Sequence, residues 1–450
     1  MRDSKLVEIL KVFSAKEWKE FEKFVASPYF SSGRDVSGFY SILKKNYPDF
    51  TSESLIKENI FSSLFPKEKF NDKKLKNISS DLTKMAEQFL VHERLAADET
   101  LFEETLAKVY KDKKNDKLFL KTLNSLERKL SDNKFKSDTG FKQEEIMERL
   151  FEEYYIGIHK FDKSVPKRIK YTEYITLTFL VAFLRKRRDK IIIKNYYNLE
   201  FTSPLLESVF ESIDFEKMLL LLKERKSEWY WLIEIYYYVL KTLENIDDEK
   251  MFEKFQNLFY ASIDKFSRKE QYFMFNDFIA WIHEKDYTKG TVSTEQEFEI
   301  FKKMLEHSAY SPSENEFMSV LLYRNIMNMA ISVQEFEWFK NFIDEYTDKL
   351  KPEFRENMAN LASANLLFEQ NNFEEALEKL SKIPYDVFIY KVDIKNLMLR
   401  IYYELDLYEA GFSMVNAFRN FLSVSDEISE TFKIQHLNFV NFYNRLLKMK

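Results

Sequence analysis

The chain has 450 residues, of which only six are glycine, eight are proline and none is cysteine. Glycine and proline form the tight turns of β structure and of phosphate-binding loops, so a chain with few of them is expected to contain neither. The absence of cysteine excludes disulfides and thiolate chemistry. A formal net charge of −5 gives no overall positive field for nucleic acid. The longest apolar run, residues 174–184, is shorter than the about 20 residues of a membrane span, which predicts a cytoplasmic protein without a membrane partner.

Apolar residues recur at helical spacing along nearly the whole chain, and this pattern predicts an all-α protein. In the segment after Asn71 the predicted buried face consists of Leu75, Ile78, Leu82, Met85 and Phe89. The capping pattern of Ser followed three residues later by Glu or Gln predicts further helix starts. Those starts are Ser14, Ser267, Ser293, Ser311 and Ser332.

Residues 1–97 are predicted to form a separate N-terminal helical domain, because their helices are short and three of the eight prolines lie there. A helix ending near Pro66 and the lysine-bearing helix after Asn71 resemble the helix-turn-helix part of winged-helix regulators. The resemblance implies that Lys73, Lys74, Lys76 and Asn77 would enter a DNA groove. An ordinary helical hairpin is the alternative.

Residues 98–200 are predicted to form a helical middle region that contains the most basic segment of the chain. Residues 160–194 hold eleven Lys or Arg and three Asp or Glu, and their centre is Arg185, Lys186, Arg187 and Arg188. One interpretation is a phosphate-binding patch for RNA or DNA. The other is the cationic C-terminal end of a helix over 172–188, where the helix dipole favours positive charge.

Residues 201–450 are predicted to form antiparallel helix pairs. First helices are predicted to start near residues 311, 351, 385 and 425, and second helices near 332, 372 and 406. A helix pair that recurs every 34–40 residues is typical of an α-solenoid. Residues 427–447 would be its terminal capping helix.

Residues 367–377 resemble the tetratricopeptide repeat, with Phe373 opening the second helix and the small Ala376 where the two helices cross. The next unit keeps Ala410 in the corresponding place, whereas the preceding unit has Phe339 there. The resemblance therefore implies a degenerate, tetratricopeptide-like solenoid with a concave binding face. On that face it implies part of a clamp for a peptide carboxylate, formed by Arg324, Asn328, Asn365 and Lys395.

A wider resemblance rests on both ends of the chain. Its first element is Phe21-x-x-Phe24-x-x-Ser27-Pro28-Tyr29-Phe30, and its second is Leu64-Phe65-Pro66 followed by Asn71-Asp72-x-x-Leu75 and Ser80-Asp81-Leu82. The third is Tyr402-Tyr403-Glu404-Leu405 with Phe418-Arg419-x-Phe421-Leu422. Together they are similar to an all-helical, functionally uncharacterised family from Bacteroidetes-type bacteria. That resemblance implies a helical fold and no particular activity.

No catalytic motif, metal-binding spacing or cofactor loop is found. Gly33 and Gly38 have the spacing of a phosphate loop, but Phe39 and Tyr40 follow where Lys and Ser or Thr are needed. The sequence therefore predicts a non-enzymatic scaffold that binds a protein or peptide and needs no cofactor. Nucleic-acid binding through residues 160–194 and the helix after Asn71 is the alternative, and a hydrolase with an unrecognised site is the third hypothesis.

Overall fold

The computed structural model describes residues 4–30, 33–132, 138–197, 199, 203–291, 293–384, 388–424 and 430–449. These residues form twenty-two α-helices and no strand, which confirms the predicted all-α class. None of the helices in the described ranges is long and apolar enough to cross a membrane. The chain divides into unit 1, Met1–Asn133 with Ile146–Arg168, and unit 2, Lys134–Glu145 with Ile169–Lys450. The three domains predicted with boundaries at 97 and 200 stay a prediction.

Unit 1 begins with five helices around an aromatic core. They are α1 (Lys5–Lys11), α2 (Ala15–Ala26), α3 (Ser37–Lys44), α4 (Lys57–Leu64) and α5 (Asp72–Ala97). The predicted apolar face of α5 is buried throughout, and Phe89 on it packs against the rings of Phe13 and Phe21. Burying side chains of this size supplies most of the driving force that holds these short helices together.

The rest of unit 1 has a second core. It is formed by α6 (Glu99–Asp112) and α7 (Asp116–Asp132), together with residues 146–168, which belong to α8 (Asp138–Gly157) and α9 (Phe161–Tyr197). Ala107, Phe119 and Leu123 are completely or almost completely buried there. Lys167 ties the helices together with ion pairs to Glu127 (2.8 Å) and Glu148 (3.1 Å).

Unit 2 continues from α9 with thirteen helices: the first eleven share one long core, and the last two form a second core with the eleventh. The helices are α10 (Pro204–Ser212), α11 (Phe215–Glu224), α12 (Tyr230–Glu244), α13 (Glu249–Tyr260), α14 (Arg268–Lys289), α15 (Thr294–Glu306), α16 (Val320–Ser332), α17 (Phe336–Tyr346), α18 (Pro352–Glu369), α19 (Phe373–Ser381), α20 (Phe388–Glu404), α21 (Tyr408–Val424) and α22 (Glu430–Leu447). From α16 to α22 each helix packs against the next one. In addition α18 packs against both α16 and α20, so alternate helices lie side by side.

Two predicted helix starts are wrong, and both lie before α17. Ser311 begins no helix; its hydroxyl accepts a hydrogen bond from Arg268 on α14 (2.9 Å), and α16 starts only after Ser319. Ser332 is the last residue of α16, and α17 starts at Phe336. The predicted starts at 385 and 425 and the predicted first residue of the capping helix, Glu427, lie outside the described residues.

The small residues at predicted helix crossings have different environments. Ala376 is completely buried, whereas Ala410 is only half-buried and its neighbour Gly411 is buried. A Cβ on Gly411 would lie 3.0 Å from Leu447 Cδ1 and 3.2 Å from the Tyr443 hydroxyl. Close packing of α21 against α22 therefore uses Gly411, and the predicted place of Ala410 at the crossing of α20 and α21 stays a prediction.

Among the described residues, seven helix ends use a left-handed residue that is not glycine. The residues are Lys114, His159, Lys226, Ser308, Gln334, Asn371 and Asp406, with φ between 51° and 61°. After each of them the next amide donates to a carbonyl five residues back, as Glu335 N–H does to Ala330 O (3.0 Å). This is the Schellman helix end, which normally carries glycine because a Cβ is unfavourable in that conformation. The scarcity of glycine is thus accommodated by strained turns.

One ion pair in unit 2 predicts a pH dependence. His283 Nε2 on α14 lies 2.9 Å from the buried Glu297 of α15, and this hydrogen bond raises the pKa of His283. Because the folded-state pKa lies above the unfolded value of about 6.5, the pair stabilises the fold fully below that pH and loses its contribution as pH rises through the raised pKa. We expect His283→Gln to lower the free energy of unfolding more at pH 6 than at pH 8.5, measured in urea. Equal losses at the two pH values would contradict this assignment.

Candidate functional site

Arg324, one of the four predicted clamp residues, meets a carboxylate in the described part of the chain. It lies in the first half of α16, whose start is capped by the Ser319 hydroxyl, which accepts from Leu322 N–H (3.1 Å). Its Nη2 donates to Asp393 Oδ1 on α20 (2.6 Å), and its Nε donates to the other oxygen of the same carboxylate. This two-bond geometry matches the planar guanidinium to a planar carboxylate. The hydrogen bonds to Asp393 raise the pKa of Arg324.

Two further polar side chains lie beside this pair. Asn396 on α20 places its Nδ2 3.4 Å from Nδ1 of His436 on α22. Burial lowers the pKa of the His436 imidazole. The negative charge of Asp393 opposes this shift and the positive charge of Arg324 adds to it, so both members of the pair act on the imidazole. We call Arg324, Asp393, Asn396 and His436 the inner polar cluster. It joins three alternate helices, α16, α20 and α22.

Helix α18 lies between α16 and α20, and the Arg324–Asp393 pair connects those two helices. No residue of α18 from 357 to 369 is exposed. This part of the helix contains three alanines, whose small side chains let neighbouring helices approach closely. Ala362 and Ala364 are completely buried. This part of α18 is therefore enclosed by neighbouring helices.

The other three predicted clamp residues do not join Arg324. Asn365 on α18 donates to Leu361 O of its own helix (2.9 Å) and touches Met327 of α16. Lys395 Nζ lies 3.7 Å from Met414 Sδ on α21. Side chains two residues apart on a helix point about 200° apart, so Lys395 points away from Arg324 when Asp393 points toward it. Asn328 is half-buried on α16. The predicted binding role of the four residues stays a prediction.

The basic run Arg185–Arg188 is tied to acidic residues of neighbouring helices. Arg185 pairs with the buried Glu270 of α14 and donates to Tyr236 on α12 (2.6 Å). Arg188 lies 2.6 Å from Asp277 of α14, which is also buried. These groups line a cavity of about 260 Å³. Burial raises the pKa of Asp277 to about 6, although Arg188 acts against this shift.

The rest of the basic run follows the same principle. Arg187 contacts Glu207 of α10 and Glu244 of α12, and Lys186 contacts Asp189 one turn along α9 (2.9 Å). Only Lys186, with 66% of its side chain exposed, projects into solvent. The three arginines are thus engaged in internal ion pairs, and a phosphate ligand would have to compete with carboxylates.

The lysine-bearing helix predicted for DNA is the first part of α5. Lys74 pairs with Glu68 (2.8 Å), Lys76 pairs with Asp72 (2.7 Å), and Lys73 and Asn77 are exposed. Nucleic-acid binding through this helix and residues 160–194 stays a prediction.

Sequence reasoning missed Asp393, Asn396 and His436. Asp393 has no local signal because its partner Arg324 is 69 residues away. The sequence signal for Asp393 is its negative charge on the face of α20 that corresponds to the Arg324 face of α16. In the part of the chain that is described, no three His, Cys, Asp or Glu residues are grouped to hold a metal ion. Neither a family model, nor a curated protein, nor a solved structure matches this chain.

Proposed function

We propose that the chain is a non-enzymatic scaffold that binds a peptide carboxylate at the inner polar cluster. The observation that carries the proposal is the two-bond pairing of Arg324 with Asp393 between alternate helices. A peptide carboxylate has the same shape and charge as Asp393, so it can take the place of that side chain on the guanidinium. The arrangement as a tetratricopeptide-like solenoid is part of the proposal.

The spacing of the helices supports this arrangement. First helices α16, α18 and α20 start at residues 320, 352 and 388, and second helices α17, α19 and α21 start at 336, 373 and 408. The three turns within these pairs share one backbone form, with Gln334, Asn371 or Asp406 left-handed. Such a series places alternate helices on one face, where an extended peptide can contact several of them.

The test uses an array of ten-residue random-sequence peptides, each made with a free C-terminal carboxylate and as an amide. We expect a subset to bind the full chain only as the free acid. Arg324→Gln should abolish this binding, since the fork that holds both oxygens is lost. Asp393→Asn should tighten it about tenfold, because the internal competitor loses its charge.

Arg419→Gln is the matched control, since Arg419 donates to Asn441 outside the inner polar cluster (2.7 Å). It should leave peptide binding unchanged. Circular dichroism of each variant checks that it is folded. Equal binding of acids and amides, or weaker binding by folded Asp393→Asn, would overturn the proposal.

A further inference from the structure

Helices α6 and α7 of unit 1 form a groove that is apolar at its floor and open to solvent. It has a volume of about 620 Å³, and Phe102, Leu106, Tyr110 and Leu118 are among its lining residues. Phe102 is 47% exposed. Leu106, Tyr110 and Leu118 beside it are half-buried, so the groove offers an occupant a continuous apolar floor. From Glu99 to Tyr110 the groove is about 16 Å long, which corresponds to three turns of a helix.

The α7 side of the groove carries positive charge that is not neutralised in this unit. Lys129 is occupied, because it pairs with Glu99 (2.8 Å) and Glu103 (3.0 Å) on α6. Lys121 and Arg128 are exposed, and neither is within ion-pair distance of a described acidic residue. They are seven residues apart, so they lie on one edge of α7, two turns from each other.

The α6 side offers an acceptor that is not used. Glu103 Oε1 accepts from the Ser125 hydroxyl (2.9 Å), whereas Glu103 Oε2 is buried and has no hydrogen-bond partner among the described residues. A buried carboxylate oxygen without a donor is costly. A donor on an occupant would relieve that cost once the Glu103 side chain, which is 17% exposed, turns toward the groove.

We propose that the α6/α7 groove binds an amphipathic helix of a partner protein. Its apolar face covers Phe102 and Leu106, two acidic side chains one heptad apart meet Lys121 and Arg128, and a polar donor faces Glu103. The three-turn length and the different charges of the two edges fit a helix better than an extended strand or a small molecule. This site lies in unit 1 and does not rest on the proposed function of the inner polar cluster in unit 2.

The test uses a blocked, alanine-based helical peptide of about 16 residues. Leucine stands at its positions 4, 7, 11 and 14, glutamine at 3 and 10, and glutamate at 8 and 15; a second peptide has lysine at 8 and 15. We expect the full chain to bind the acidic peptide at least tenfold more tightly than the basic one, in spite of its own net charge of −5. Lys121→Glu with Arg128→Glu should reverse this preference, and Phe102→Ser should weaken the acidic peptide about tenfold.

Lys19→Glu with Lys340→Glu is the control, since it makes the same change in net charge at two exposed lysines outside the groove. It should leave the preference intact. All variants change exposed side chains, so their unfolding midpoints should match the wild type. The proposal is overturned if the acidic peptide does not bind, if the charge reversal leaves the preference unchanged, or if sedimentation shows a dimer of this chain that Phe102→Ser dissociates.

Discussion

Replacing Arg188 by leucine is expected to lower the free energy of unfolding by about 3 kcal/mol at pH 7, because it removes the counter-ion of a buried carboxylate. Asp277 is only 4% exposed and lies 2.6 Å from Arg188. Without the guanidinium, Asp277 must stay charged while it is buried, or it must take up a proton. Because Arg188 lowers the pKa of Asp277, the variant takes up this proton at a higher pH than the wild type, whose Asp277 has a pKa of about 6. The loss should therefore shrink as pH falls toward about 6 and stay small below it. Urea unfolding at pH 5 and pH 7 measures both effects.

Two further variants separate this explanation from a phosphate-binding role. Arg188→Leu with Asp277→Leu should recover most of the lost stability, because neither charge remains buried. Lys186→Leu should change stability by less than about 0.5 kcal/mol, because its ion pair with Asp189 is exposed to solvent. If Arg188→Leu were as stable as the wild type and had lost salt-sensitive binding to RNA or DNA, the basic run would be a ligand site and not an internal ion-pair cluster.

Adding glycine to this glycine-poor chain is expected to make it more stable. Lys226, Ser308 and Gln334 are exposed, left-handed and followed by Schellman hydrogen bonds. A Cβ in the left-handed conformation costs roughly 1 kcal/mol per residue, and glycine has no Cβ. Because the three turns are separate, the triple substitution to glycine should add about 3 kcal/mol to the stability of unit 2 and raise its melting temperature by several degrees.

The control keeps the Cβ at the same places. Lys226→Ala with Ser308→Ala and Gln334→Ala should give no comparable gain, because the backbone strain remains. Differential scanning calorimetry of both triple variants compares them directly. A stabilisation of the alanine variant as large as that of the glycine variant would show that the side chains, and not the backbone conformation, limit these turns.

Local patterns predicted the fold class well and some helix boundaries poorly. The apolar face of α5 could be predicted because burial of every third or fourth residue leaves a direct mark on the sequence. The Ser14 capping box could also be predicted, since both of its hydrogen bonds lie within four residues. Ser311 has the same pattern, but its hydroxyl accepts a hydrogen bond from Arg268 on another helix. A contact between residues so far apart in sequence is not part of any local capping rule.

The candidate site shows the same limit. Arg324 is a predicted clamp residue whose binding role stays a prediction, and its partner Asp393 could not be predicted. Asp393 is two residues before Lys395, and only the rotation of α20 decides which of the two meets Arg324. Likewise the basic run was visible as charge, whereas the acidic residues that neutralise it come from α10, α12 and α14. The sequence shows charge directly, but its pairing depends on tertiary structure.

The Arg324–Asp393 pair has a consequence for how α16–α20 unfold. A series in which each helix pair touches only its neighbours can lose units from one end in small steps. Here the Arg324–Asp393 pair joins α16 to α20, so fraying of α20 also breaks a contact that stabilises α16. These five helices should therefore lose hydrogen-exchange protection together, as one cooperative block.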